Sequence, residues 1–182
     1  MSKVNLSKFD NSWYKPGNAF KRFVWYFKNI FLFKTSLPWP NSLKIMTLKF
    51  FGAKVGSNVL IKPNVNIKYP WLLEIGTNVW IGEEVWIDNL AKVTIGNNVC
   101  LSQGAMLLCG NHDYKKETFD LIVKPIILED GVWVGARSVV CPGVTMKSHS
   151  VLSVGSVLTK DAEAYGIYQG NPAVMVKKRE IK

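Results

Sequence analysis

His112 is one of two histidines in the chain, and it stands in a stretch that interrupts an otherwise regular pattern. That stretch, residues 109–125, reads CGNHDYKKETFDLIVKP. A neutral imidazole can accept a proton near pH 7, and a positioned general base raises a rate by about 10²–10⁴-fold. A zinc site takes three or four ligands, and the other histidine, His149, lies in a different register. The sequence favours general base catalysis at His112 and predicts no required metal.

Cys109 offers a second chemistry, because a thiolate three residues before His112 could act as a nucleophile. However, Cys109 falls where the regular pattern still predicts a strand, and no G-x-S-x-G motif suggests a covalent route. We therefore expect direct attack by an activated hydroxyl or amine.

The regular pattern has a period of six residues. A period of six fits neither an α-helix nor an alternating strand, and it predicts short strands joined by turns, with three sides to a coil. Successive coils then stack at roughly 4.8 Å, the ordinary strand spacing. Large aliphatic residues six apart form the triplets Val55, Ile61, Ile67; Ile75, Ile81, Ile87; Ile95, Leu101, Leu107; Leu128, Val134, Val140; and Met146, Leu152, Leu158.

Three interruptions of the repeat share one position. Extra residues follow Leu72, Lys92 and His112, and each set falls at the end of the third side of a coil. All three are therefore expected to leave the same edge of the prism, and insertions on one face of a repeat protein commonly form its binding site. Trp86 faces outward on a side of this prism, as expected of a ligand platform or a subunit contact.

Further motifs resemble those of the hexapeptide-repeat O-acetyltransferases, which use acetyl-CoA. The similar segments are GNHDY, then KPIILEDGVWVGARSVVCPGVTMKSHSVLSVGSVLTKD, and the closing GNPA. FFGAKVGSNVLIKPNVNIKYPWLLEIG and PGNAFKRFVWYF look like the colanic acid biosynthesis acetyltransferases. The resemblance covers nearly the whole chain. It implies an all-β solenoid, a left-handed parallel β-helix of about five coils with an N-terminal helical segment, one protruding loop and a short C-terminal tail helix.

The resemblance also implies roles for individual residues. The catalytic base of the family corresponds to His112, and Asp113 is implied to shape the loop or to contact the acceptor. We also assign Asn111 and Trp86 to the acceptor. Ala136 stands where the family often has serine, so only its backbone N–H is expected to bind the acyl oxygen. The residues implied for acetyl-CoA are Trp133, Ala136, Val154, Thr159, Lys160, Lys177 and Lys178, and Arg179 of the same basic tail is a further candidate for the cofactor phosphates. The family forms homotrimers, which implies sites between subunits.

The N-terminal region differs in composition from the rest of the chain. The net charge is +10, and residues 1–50 supply +8 of it, with nine Lys or Arg against one Asp. We divide the chain into a basic, aromatic helical segment (1–52), the β-helix (53–162, with a loop at 109–127) and a basic tail (163–182). No nucleic-acid motif accompanies the charge, so no nucleic-acid partner is expected.

Residues 18–34, NAFKRFVWYFKNIFLFK, predict a helix capped by Asn18, followed by a second short helix within residues 37–48. This helix is short for a membrane span. It is expected to cover strand edges of the β-helix, and its basic and aromatic residues also suit peripheral contact with an anionic membrane.

The sequence thus predicts an acetyl-CoA-dependent O-acetyltransferase acting on a sugar or glycan hydroxyl in exopolysaccharide or surface glycan biosynthesis. An N-acyltransferase acting on an amino sugar or small molecule and a non-catalytic scaffold are the alternatives. Three scattered cysteines and the lack of a signal-peptide pattern favour the cytoplasm, with the inner membrane surface as a further location.

Overall fold

A computed structural model describes residues 3–182. Three parallel sheets wind into a prism-shaped solenoid, and each coil contributes one strand to each sheet. Sheet A contains β1 (Lys54–Val55), β4 (Leu73–Ile75), β7 (Val93–Ile95), β12 (Ile126–Leu128) and β15 (Thr145–Met146). Sheet B contains β2 (Leu60–Ile61), β5 (Trp80–Ile81), β8 (Cys100–Leu101), β13 (Trp133–Val134), β16 (Val151–Leu152) and β18 (Gly166–Gly170), with β19 (Ala173–Lys178) at its edge. Sheet C contains β3 (Asn66–Ile67), β6 (Trp86–Asp88), β9 (Met106–Leu108), β14 (Val139–Val140) and β17 (Val157–Leu158).

The core confirms the period of six. Each large aliphatic residue of the triplets after Val55 is buried, and its neighbours in the coils above and below are the equivalent residues of the same sheet. Ile87, for example, pairs in register with Ile67 on one side and Leu107 on the other. Burial of stacked aliphatic columns is therefore the main contribution that holds the coils together.

The corner between sheets A and B carries a ladder of asparagines. Asn58, Asn78 and Asn98 all have a left-handed φ between 51° and 58°, a conformation that asparagine adopts more readily than most residues. Asn58 Nδ2 donates to Asn78 Oδ1, and Asn78 Nδ2 donates to Asn98 Oδ1, both at 3.1 Å. The recurrent asparagine thus allows the turn at the corner, and its side-chain hydrogen bonds link successive coils.

Helices close the N-terminal end of the solenoid. α1 (Ala19–Lys28) begins after Asn18, whose side chain accepts the Lys21 N–H, so the predicted cap is confirmed. α1 continues into a π-helix (Asn29–Phe33), and α2 (Asn41–Phe50) follows. Short 3₁₀ turns lie at Leu6–Lys8 and Pro70–Leu72. No helix within residues 3–182 is long and apolar enough to cross a bilayer.

Side chains from these helices replace a missing strand at the first coil. Asn41 donates to the Val59 carbonyl and accepts the Ile61 N–H, as a neighbouring strand would. The buried Lys44 ammonium donates to the Ile61 carbonyl at 3.1 Å, and burial lowers the pKa of this lysine. Trp25 Nε1 donates to the Ile67 carbonyl at 2.9 Å. The open strand edges of sheets B and C are thereby satisfied, which removes a template for edge pairing.

All three predicted interruptions leave the corner between sheets C and A, as expected. The longest forms an antiparallel hairpin of β10 (Gly110–His112) and β11 (Leu121–Val123), which pairs His112 with Leu121. The N-terminal segment holds this hairpin, because Asn5 N–H donates to the Glu117 carbonyl and Lys8 pairs with the Glu117 carboxylate at 2.8 Å.

The C-terminal tail corrects the prediction of a tail helix. Five coils are complete and a sixth begins, because Ala162 bridges to Met146 and β18 pairs with β16. β18 and β19 then form an antiparallel hairpin. The exposed last strand of sheet B needs a partner, and the β-branched residues of the tail suit a strand better than a helix.

We predict that Ile87→Ala destabilises the fold by about 2–5 kcal/mol, because it opens a cavity within a closed aliphatic column. Ile87 is 0% exposed. Ile181→Ala deletes the same atoms from a residue that is 59% exposed, and it is the matched control. Urea unfolding of both variants at one protein concentration measures the difference, and equal losses of stability would contradict the column as the source of stability.

Candidate active site

His112 lines a groove at the corner between sheets C and A. The groove has a volume of about 470 Å³. The hairpin supplies one wall, the insertions after β3 and β6 supply another, and the N-terminal segment folds across the third. The lining residues are Phe9, Asn11, Tyr14, Pro16, Arg22, Lys68, Tyr69, Leu90, His112 and Leu121.

The imidazole of His112 is held by aromatic contacts and by a hydrogen bond at one nitrogen. Its ring stacks on Phe119 with centroids 4.4 Å apart and nearly parallel planes, and Phe9 lies 5.6 Å away. Nδ1 lies 2.9 Å from the Phe119 carbonyl oxygen. A carbonyl oxygen only accepts hydrogen bonds, so Nδ1 must carry the proton. In the neutral ring Nε2 is then the unprotonated nitrogen, ready to accept a proton.

Buried polar groups support the groove beneath His112. Tyr14 Oη donates to the Leu90 carbonyl at 2.5 Å, and burial raises the pKa of this phenol, so Tyr14 stays protonated. Asp88 is nearly buried, and its Oδ1 lies 3.0 Å from Lys68 Nζ. That oxygen has no well-aligned hydrogen bond within residues 3–182, so charge attraction holds the pair.

The other residues predicted for the acceptor do not line this groove. Asn111 is exposed, and its Oδ1 accepts the N–H of His112. Asp113 Oδ1 accepts the N–H of Lys115, which shapes the turn of the hairpin. Trp86 lies on the outer face of sheet C and lines a neighbouring cavity, which shares Arg22, Lys68 and Tyr69 with the groove.

A second groove, of about 700 Å³, lies along the corner between sheets B and C. It collects four of the residues predicted for acetyl-CoA, which are Trp133, Ala136, Val154 and Lys177. Trp133 Nε1 donates to Ser102 Oγ at 2.9 Å, which fixes the indole as one wall. Long, partly apolar grooves with a few polar groups suit a cofactor arm. Arg179 of the basic tail, a further candidate for the cofactor phosphates, also lines it.

Thr159, Lys160 and Lys178 lie outside this second groove. Thr159 and Lys160 are exposed after β17, where sheet C ends, and this is a different corner of the prism. Lys178 Nζ donates to the Ala164 carbonyl at 3.1 Å. The structure therefore brings together only part of the predicted cofactor set.

The two grooves lie on different corners of one chain. His112 leaves the corner between sheets C and A, whereas Gly135, Ala136 and Val154 turn the corner between sheets B and C. Sheet C separates them.

Cys109 is fully buried, and this burial raises the pKa of its thiol to about 11. The thiol is therefore protonated near neutral pH and is a poor nucleophile. Within residues 3–182 there is no group of three or more His, Cys, Asp or Glu side chains placed to hold a metal ion.

The N-terminal contribution to the groove is not predicted from the sequence. Phe9, Asn11 and Tyr14 lie about a hundred residues before His112, and no repeat links the two segments. The dense aromatic and polar run FDNSWY is a signal that could have drawn attention to this segment.

No protein-family model matches the chain. The Escherichia coli protein named as a colanic acid biosynthesis acetyltransferase, WcaF, is 34% identical over 166 residues, which cover 91% of each chain. Galactoside O-acetyltransferase of Escherichia coli is 30% identical over 133 residues, 71% of this chain and 66% of that protein. The solved structure of a galactoside acetyltransferase in complex with coenzyme A matches with a TM-score of 0.76 and 26% identity, over 87% of this chain and 80% of that one.

The fold and these relatives define the class of protein. The chain belongs to the hexapeptide-repeat acetyltransferase family, whose fold is the left-handed β-helix. Within that family it is similar along almost its whole length to WcaF. The protein is therefore an acetyltransferase, and the scaffold alternative is wrong.

Proposed function

We propose that the protein transfers an acetyl group from acetyl-CoA to a hydroxyl of a sugar in exopolysaccharide or surface glycan biosynthesis. The hydrogen bond between Nδ1 of His112 and the Phe119 carbonyl carries this proposal, because it leaves Nε2 as the basic nitrogen. Relatives named for galactoside O-acetylation and colanic acid biosynthesis support a sugar acceptor, and a relative solved with coenzyme A supports the donor.

The reaction follows from these positions. Nε2 of His112 takes the proton of the acceptor hydroxyl as its oxygen attacks the thioester carbonyl carbon. A new C–O bond forms, the C–S bond breaks, and the proton passes from His112 to the departing coenzyme A sulfur. The Ala136 N–H makes no hydrogen bond within residues 3–182 and is assigned to the developing oxyanion.

The proposal includes a homotrimer with sites between subunits. His112 and the second groove face different corners of one prism, so a neighbouring copy brings the groove of one chain to the His112 of another. Asn111 and Asp113 then serve to hold the hairpin that carries His112. An amine acceptor could use the same base, and a panel of hydroxyl and amino sugars separates the two reactions.

The proposal places the reaction in the cytoplasm, in peripheral contact with the inner membrane. The surface that supports this is the aromatic face of α1 and the π-helix, whose exposed side chains are Phe20, Phe23, Tyr26, Phe27 and Phe31. Lys21, Arg22, Lys28 and Lys34 alternate with these aromatic residues along the sequence, and residues 11–50 contain no acid. Protein interfaces are depleted of lysine, whereas aromatic residues interleaved with lysine suit an anionic lipid surface.

We predict that His112→Asn lowers kcat for sugar acetylation by about 10²–10⁴-fold, because the amide cannot accept the hydroxyl proton. The matched control is His149→Asn, which changes the other histidine at the corner between sheets A and B, where it stacks on Tyr165. Coenzyme A release is followed with a panel of sugars and glycans. Equal rates for His112→Asn and the wild type would remove His112 from the chemistry.

A triple change of Phe23, Phe27 and Phe31 to Ser is predicted to weaken binding to phosphatidylglycerol vesicles by at least ~10-fold, because it removes the apolar contact. Sedimentation with phosphatidylglycerol and phosphatidylcholine vesicles measures it, and added salt should also release the protein. Trp80→Ser changes an exposed aromatic residue of sheet B and serves as the control. A triple variant that binds normally, or that dissociates into monomers, would contradict a lipid-binding role.

A further inference from the structure

A smaller cavity adjoins the His112 groove along the same edge. This helix-side cavity has a volume of about 340 Å³ and lies between α1, the π-helix and the outer face of sheet C. Arg22, Lys68 and Tyr69 line both spaces. A ligand with its reacting hydroxyl beside His112 would therefore extend past these three side chains into the helix-side cavity.

The helix-side cavity has an excess of positive charge. Arg22, Lys34 and Lys68 line it, and Asp88 is the one acidic residue among the lining side chains described. Asp88 is 6% exposed and pairs with Lys68 at 3.0 Å, so it offsets that lysine. Neither Arg22 nor Lys34 takes part in an ion pair within residues 3–182. The side chains of Arg22 and Lys34 are therefore available to bind a ligand in the cavity.

Such a wall fits an anion better than a neutral sugar. Like charges gathered at one cavity repel each other, and an uncharged ligand does nothing to offset that repulsion. A guanidinium binds two phosphate oxygens in a fixed geometry, and a lysine ammonium adds a mobile point charge. Arg22 and Lys34 together match a group with two adjacent phosphates.

Aromatic side chains line the junction and the helix-side cavity as well. Tyr69 lies at the junction of the two spaces and stacks on Trp71 at 5.2 Å, which holds its ring in place. Trp86, on the outer face of sheet C, is 42% exposed in the helix-side cavity. Aromatic faces offer apolar contact to the C–H face of a sugar ring. Along the edge, Tyr69 and Arg22 thus share the junction of the two spaces, and Lys34 lies in the helix-side cavity beyond it.

We infer that the helix-side cavity binds the diphosphate of a glycosyl diphosphate acceptor, with the sugar ring at Tyr69 and its hydroxyl at His112. This inference rests on the proposed function and names its acceptor class. A nucleotide sugar and a polyprenyl diphosphate sugar both carry this group. Tyr26 is on α1 and Lys34 directly follows the π-helix, so the cavity opens beside the aromatic face assigned to lipid.

Pyrophosphate binding tests the cavity without catalysis. Calorimetry is done with coenzyme A saturating, so that the second groove is filled. Arg22→Gln and Lys34→Gln should each weaken pyrophosphate binding by about 10-fold, because each removes a charge-assisted contact. Lys62→Gln removes an exposed lysine that lines neither space, and it should bind as the wild type does. Equal affinities for the wild type and Arg22→Gln would overturn the inference.

Acceptor preference tests the same site during turnover. For each sugar tested, kcat/KM is compared between three acceptors, which are the methyl glycoside, the UDP-sugar and the undecaprenyl diphosphate sugar. The wild type should favour a diphosphate acceptor over the methyl glycoside. The better of the two diphosphate acceptors shows whether the natural one is a nucleotide sugar or a polyprenyl diphosphate sugar. The ratio of diphosphate to methyl glycoside should fall about 10-fold in Arg22→Gln and stay constant in Lys62→Gln.

The two proposals fail in different ways. Acetylation that needs His112 but shows the same acceptor ratio in the wild type and Arg22→Gln would overturn the diphosphate site and leave the acetyltransferase proposal intact. Pyrophosphate binding that depends on Arg22, with no acetylation of any sugar, would support the cavity as a diphosphate site and overturn the sugar acceptor.

Discussion

The in-register stacking of equivalent residues from one coil to the next is the constraint on which the rest of the structure depends. Each coil must place one aliphatic residue per side over its counterpart, as Ile67, Ile87 and Leu107 do. An extra residue within a side would shift every later side chain, so insertions can leave only at a corner. All three leave the corner between sheets C and A, which builds the His112 groove from otherwise separate coils.

The N-terminal helices join this constraint to function. Trp25, Asn41 and Lys44 satisfy the open edge of the first coil, and the Trp25 hydrogen bond fixes α1 against sheet C. The same helix then presents Arg22 to the groove and an aromatic face to the outside. The packing of the N-terminal helices thus closes the solenoid and positions Arg22 near His112. In our proposal, the exposed face of the same helices contacts the membrane.

The sequence predicted what repeats or caps determine locally. The period of six, the shared edge of the insertions and the Asn18 cap are confirmed, because each depends on residues near in sequence or on identical coils. The fold of Phe9–Tyr14 over His112 depends on contact between distant segments, and the β18–β19 hairpin depends on the open edge of sheet B, to which β18 adds, so the repeat predicts neither. The hydrogen bond between His112 and the Phe119 carbonyl is not predicted either. Every residue has a backbone carbonyl, so the residue type does not indicate which one accepts.

The central claim is that His112 of one chain acts on acetyl-CoA held in the second groove of another. Mixing subunits tests it most directly. His112→Asn chains and chains with the groove filled by Val154→Trp are each inactive alone, and they are unfolded and refolded together in equal amounts. If each site combines two chains, about a quarter of wild-type activity should be recovered. In random trimers, about half of the sites receive an intact His112, and about half of those face an intact groove. No recovery from a mixture that has formed trimers would contradict the account.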